Sequence, residues 1–168
     1  KITNIPMEIK YLTKLKILRL NLNEIEIIPD EIKYLRELCG LDLSDNLINI
    51  IPKYIKKLNK LEILDLSNNN IQSLPKEIYL LESLRELYLV ENKISKLSNN
   101  INKLENLEQI YVTNNLLTSL PSSILEMDDL MCEFDDIPKL SSKFIDYLEE
   151  HTISFNEPDW ESIIDEFD

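Results

Sequence analysis

Asparagine recurs every 23 residues, at Asn23, Asn46, Asn69, Asn92 and Asn115, and that interval limits the possible folds more than any other feature of the chain. Proline keeps the same step at Pro6, Pro29, Pro52, Pro75 and Pro121, with Ser98 in the one skipped place. Each asparagine sits in the frame L-x-x-L-x-L-x-x-N-x-I/L. The frame reads Leu15–Leu18–Leu20–Asn23–Ile25, Leu38–Leu41–Leu43–Asn46–Leu47/Ile48 and Leu61–Leu64–Leu66–Asn69–Ile71. It continues as Leu84–Leu87–Leu89–Asn92–Ile94 and Leu107–Ile110–Val112–Asn115–Leu117.

The frame has a direct physical reading. The apolar residues of L-x-L are two apart, so they point to one side of a short extended strand. One coil cannot bury that side alone, but stacked coils build a continuous core. The asparagine falls where the chain turns away from the strand. Its amide can both donate to and accept from backbone groups left unpaired there, each worth about 1–3 kcal/mol if buried. The following P-x-x-I-x-x-L-x-x-L has helical spacing, and proline suits a first turn.

These residues resemble the leucine-rich-repeat family, in the 23-residue class found in intracellular Ras-associated scaffolds. The likeness covers residues 1–125. It implies an α/β solenoid: a right-handed horseshoe with short parallel strands on the concave face and short helical or 3-10 segments on the convex face. Residues 1–125 are read as five full registers, the N-terminal end starting mid-repeat. Residues 126–168 are read as a degenerate last coil plus an acidic helical C-terminal cap. In that last coil Leu130 keeps phase, and Cys132 and Phe134 fit if the frame slips by one residue. Beyond it, Leu140, Phe144, Ile145 and Leu148 form one helical stripe, and Trp160, Ile163, Ile164 and Phe167 a second. The stripes read either as a cap on the open core or as a helix that docks into a partner's groove.

In the family's fold the residues between the leucines face the concave side, where partners are held. The column inside the L-x-L pairs is Arg19, Asp42, Asp65, Tyr88 and Tyr111, and the column before it includes Glu86 and Gln109. These seven are the expected partner-binding residues. Tyr88 and Tyr111 suit an anchor, being amphipathic and rigid. They could equally stabilise each other across adjacent strands. Asp42 and Asp65 repel one another, which a basic partner group would relieve, although L-D-L-S is also a common filler of such repeats. Tyr88→Ala is expected to weaken partner binding with stability nearly unchanged.

Charge narrows the partner class. Residues 1–125 are neutral, with 16 Lys+Arg against 16 Asp+Glu, so the net charge of -13 sits in 126–168. An acidic end repels nucleic acid and anionic membrane surfaces and favours basic partners. The lysines fall mostly in convex segments, mixed with acids and without interleaved aromatics, and read as a solvated face. No run is apolar and long enough to span a bilayer, and Cys39 and Cys132 are too few for a disulfide framework, so the sequence reads as intracellular and cytoplasmic.

Catalytic patterns are missing. His151 is the one histidine, beside Glu150 in the acidic end, and reads as a surface residue. There is no C-x-x-C, H-E-x-x-H or glycine-rich phosphate loop, and the carboxylates at 126–136 lack a calcium-loop pattern. No cofactor or metal is expected. The sequence thus predicts a non-catalytic scaffold that binds a protein on its concave face, a basic partner surface being favoured. The alternative is a substrate-recruiting arm of a larger enzyme such as a ubiquitin ligase or kinase.

Overall fold

The computed structural model describes residues 1–135, 137–138 and 140–160. Six three-residue strands line up in chain order in one parallel sheet: β1 Ile17–Arg19, β2 Gly40–Asp42, β3 Ile63–Asp65, β4 Glu86–Tyr88, β5 Gln109–Tyr111 and β6 Met131–Glu133. Leu18, Leu41, Leu64, Leu87, Ile110 and Cys132 are register partners along it. The repeat interval therefore becomes the sheet register. The step is 23 residues until β6, where Ile110 pairs with Cys132 and the frame shortens by one.

Each coil returns through a five-residue 3-10 turn on the opposite side: Met7–Tyr11, Asp30–Tyr34, Lys53–Lys57, Lys76–Leu80, Asn99–Lys103 and Ser122–Glu126. The coil is too short for several α-helical turns, and i→i+3 bonds close it instead. Ile32 N–H donates to Pro29 O at 3.1 Å and Leu35 N–H to Ile32 O at 3.0 Å, and the other coils repeat the pattern. Proline stands one place before the turn, in extended geometry, rather than inside it. Ser98 fills that place once: its Oγ accepts from Asn100 N–H, and its own N–H, which proline would lack, donates to the Tyr79 hydroxyl.

The core runs the length of the solenoid. In the second coil Ile32, Leu35, Leu38, Leu41, Leu43 and Ile48 have no exposed surface, and the next coils repeat them. Alongside runs the asparagine ladder. The Nδ2 group of Asn69 lies 3.0 Å from Leu43 O, 3.1 Å from Leu66 O and 3.0 Å from Ser67 O, while Oδ1 accepts from Ile48 N–H at 2.9 Å. One amide thus ties its own turn to the preceding coil. The residue before each asparagine, Leu22, Asp45, Asn68, Glu91 or Asn114, has φ of 53–58°, which swings the chain out of the strand.

The sixth coil has no ladder asparagine. The Asp135 carboxylate stands in, accepting from Asn114 N–H at 2.7 Å and Asn115 N–H at 3.0 Å. A helix, α1 (Ser142–His151), then packs on the end of the core through Phe144, Tyr147 and Leu148, with Ile145 left exposed. The Tyr147 hydroxyl donates to Met127 O at 2.8 Å. His151 is not a free surface residue. It stacks on Tyr147, and its ring nitrogens lie 2.7 Å from Tyr147 O and 2.9 Å from Asp128 O. Of the second helical stripe, Ile163, Ile164 and Phe167 fall outside the described residues.

Candidate functional site

Strand alternation puts the leucines into the core and the residues between them onto the other face. Register then makes Arg19, Asp42, Asp65, Tyr88, Tyr111 and Glu133 neighbours in one row across all six strands. Beside it, Ile17, Gly40, Ile63, Glu86, Gln109 and Met131 form a second row. All seven expected site residues lie on this surface.

The rows are tied together by short polar contacts. Arg19 Nε lies 3.4 Å from Asp42 Oδ2. Asp42 Oδ1 accepts from Ser44 N–H at 3.1 Å and Ser44 Oγ at 2.7 Å, and Asp65 Oδ1 accepts from Ser67 N–H at 2.9 Å. The aspartates of L-D-L-S therefore serve the strand's exit turn. Tyr88 donates its hydroxyl to Glu86 Oε2 at 2.8 Å, and Tyr111 to Gln109 Oε1 at 2.9 Å. The two tyrosine rings stack at 4.8 Å with 10° between planes.

Asp42, Asp65, Tyr88 and Tyr111 are buried on this face, and burial shifts its charges. Burial, reinforced by the charges of Asp42 and Asp45, raises the Asp65 carboxyl to about 6. Glu86 is raised by burial, with smaller contributions from Glu108 and Asp159. Tyr88 is raised by burial and by Glu86, which accepts from its neutral form. Glu133 Oε2 is buried with no hydrogen-bond partner.

What buries the face is the chain itself. After α1, Thr152 bridges to Cys132 in parallel, and Ile153 N–H donates to Cys132 O at 3.2 Å. The segment then runs back over the sheet. Phe155 meets Tyr88 and Tyr111 edge-on, at 6.0 and 5.4 Å, and the Asn156 backbone N–H faces the Tyr111 hydroxyl. Trp160 lies under the Arg19 guanidinium at 5.4 Å. It joins Cys39, Ile63, Tyr88 and Tyr111 in an apolar cluster separate from the main core. As a result Tyr88 is 1% exposed and Tyr111 0%: of the two readings the sequence allows, an anchor or a mutually stabilising pair, the stack is seen and neither ring is open to solvent. Phe155 and Trp160 are not among the expected site residues: both lie outside the 23-residue repeat, and Trp160 reads from the sequence as part of a helical stripe rather than as a cover for the concave face. The available signal was that stripe, with Phe155 and Trp160 on either side of Pro158.

The convex side also differs from its sequence reading. Lys33 lies over the rings of Tyr34 and Tyr54, at 5.3 and 4.4 Å, and Lys10 over Tyr11, so aromatics do interleave with the lysines there. Among the described residues no group of His, Cys, Asp and Glu could hold a metal ion, and no helix is long and apolar enough to cross a membrane.

The sequence family described as leucine rich repeat matches residues 49–94. No curated protein matches by sequence. Among solved structures, the chain is similar to a leucine-rich-repeat protein of Leptospira interrogans, with a TM-score of 0.81 and 27% identity over 96% of this chain and 44% of that one. It is also similar to the leucine-rich-repeat ectodomain of a plant membrane receptor kinase from Arabidopsis thaliana, solved in complex with Casparian strip integrity factor 2. There the TM-score is 0.76 and identity 28%, over 92% of this chain and 20% of that one. A plant ice-binding protein gives 0.72 and 27%, over 79% and 45%. The chain thus spans less than half the length of each of these structures.

Proposed function

Because this chain is a leucine-rich-repeat protein, we propose that it is a non-catalytic interaction module whose concave face holds an extended stretch of another protein. The observation that carries this reading is the Tyr88–Tyr111 stack, an aromatic platform on the concave sheet on which a chain segment already lies. Six short parallel strands offer rows of side chains on a rigid scaffold, the arrangement a linear ligand needs. The plant receptor ectodomain with its bound factor is a further support from a protein of similar fold. Asp42, Asp65, Glu86 and Glu133 make the face acidic, which favours a basic partner. We also read the compartment as intracellular, since Cys39 and Cys132 are both buried free thiols.

The test is affinity capture from native cell extract with the full chain, a Tyr88→Ala/Tyr111→Ala variant, and a convex Lys56→Glu/Lys57→Glu control. A protein kept by parent and control but lost by the tyrosine variant supports the concave face. A protein lost only by the convex control moves the site to the other side.

A further inference from the structure

The segment from Thr152 to Trp160 is attached to the sheet differently from everything beneath it. The coils are held by backbone ladders and by the asparagine amides. Among the described residues the segment has one ladder bond, Ile153 N–H to Cys132 O; the Trp160 N–H bonds only locally, to Pro158 O. The Asn156 backbone N–H also faces the Tyr111 hydroxyl, and the apolar hold is through Ile153, Phe155 and Trp160 against the concave cluster. Thr152, Ser154, Asn156, Glu157 and Asp159 stay exposed, and Phe155 keeps 42% of its surface exposed while meeting the tyrosine rings edge-on. A few side-chain anchors on an otherwise solvated extended chain is how a peptide ligand sits on a domain.

Its length matches the surface. Five strand steps from β6 to β1 cover about 24 Å, and eight residues of extended chain reach about 26 Å. Thr152 is fixed beside Cys132 on β6, and Trp160 reaches Arg19 on β1. The segment therefore has the length to cross the face, its aromatic anchors five residues apart.

Its charge does not match. The central row carries Asp42, Asp65 and Glu133 against Arg19 alone, with Glu86 in the row beside it. Arg85, at the entry to β4, is engaged with Glu108 through Nε and Nη2. Residues 152–160 add Glu157 and Asp159 and no lysine or arginine. Glu133 Oε2 is left buried without a donor under this arrangement. Like charges in a partly dry groove oppose the contact that the aromatics make.

We propose that residues 152–160 are a resident, exchangeable ligand of the concave face, and that the partner which displaces them is an extended segment with two aromatic side chains five residues apart and lysine or arginine between them. This rests on the concave-face reading above and adds the partner's chemistry to it. The aromatics of the incoming segment occupy the Tyr88–Tyr111 platform and the slot between Arg19, Cys39 and Ile63. Its cations face Asp65 and Glu86, where the resident segment brings only acids. Release of the tail and capture of the partner are then one exchange, set by the difference between the two affinities.

Two fluorescein-labelled peptides test this by polarisation: one with the sequence of residues 152–160, the other with both acids replaced by lysine. Each is titrated into the full chain and into a full-length Phe155→Ser/Trp160→Ser variant, whose folding is checked by circular dichroism. If the double variant does not fold, Phe155→Ser alone replaces it. The variant is expected to bind the lysine peptide with a Kd roughly tenfold or more below that for the acidic one, and the parent to bind both more weakly than the variant does. The proposal is overturned if the variant binds neither peptide, if it binds both equally, or if parent and variant do not differ. A doubled molecular mass of the parent, abolished in the variant, also overturns it, by seating the tail in a second copy. A captured partner that needs Tyr88 and Tyr111 while neither peptide binds removes this proposal and leaves the concave-face reading standing.

Discussion

Tyr88 and Tyr111 are register partners on β4 and β5, with rings 4.8 Å apart and 10° from parallel, and Phe155 closes over both from a segment beyond the last coil. The pair is at once a piece of the scaffold and the floor of a binding surface. Tyr88→Ala therefore costs stability. Loss of its buried ring contacts lowers the free energy of unfolding by about 2 kcal/mol, readable from urea denaturation. The sequence reading expected almost no change, because it left the ring open to solvent.

Asn69 holds a turn of the third coil and a carbonyl of the second through one amide. Asn69→Ala leaves several buried backbone groups without partners, and about 3 kcal/mol or more should be lost. Asn69→Asp should do no better, because a carboxylate accepts but cannot donate. If Asn69→Ala shifts the denaturation midpoint no more than a surface change does, the ladder is not a stabilising element.

Asp65 sets a pH dependence. Its native carboxyl titrates at about 6, above the ordinary 3.8, because burial beside Asp42 and Asp45 disfavours its charge. The native state thus holds this proton more tightly than the unfolded chain. The associated stability is fully present below about pH 4 and lost as pH rises through about 6. Asp65→Asn keeps an oxygen for Ser67 N–H and removes the charge. It should be more stable than the parent at about pH 7.5, by roughly 2–3 kcal/mol, with the gain vanishing near pH 4. Equal stabilities at both pH values would show that the carboxylate is not strained.

Leu22 sits at φ 58°, a left-handed conformation that costs a leucine about 1 kcal/mol, and its side chain is mostly solvent-exposed. Leu22→Asn relieves part of this and should raise stability by about 0.5 kcal/mol, a small upward shift of Tm.

The sequence made some of this plain and hid the rest for physical reasons. Strands, ladder and convex turns repeat every 23 residues, so each coil's prediction is checked by the next, from Leu18 to Ile110. The one-residue slip at Cys132 was legible for the same reason, since Cys132 and Phe134 fit a shifted frame. The seven concave residues follow from strand alternation and do lie on one surface. Their burial does not follow from any local pattern. It depends on Phe155 and Trp160, more than forty residues beyond Tyr111, outside the repeat phase, where Trp160 reads as one residue of a helical stripe and nothing marks the concave sheet as its partner. The proline position slipped for a smaller reason: a residue at helical φ with no N–H serves equally well just before a 3-10 turn.

The central claim is that the concave face is a binding surface already occupied by the chain's own tail. Trp160 is the only tryptophan in the sequence, so its fluorescence reads that occupancy directly. The measurement is iodide quenching of the full chain beside the Tyr88→Ala/Tyr111→Ala variant. The account predicts blue-shifted, shielded emission in the parent, and red-shifted, readily quenched emission in a variant that remains folded by circular dichroism. Emission that is solvent-exposed and fully quenchable in the parent itself would contradict it.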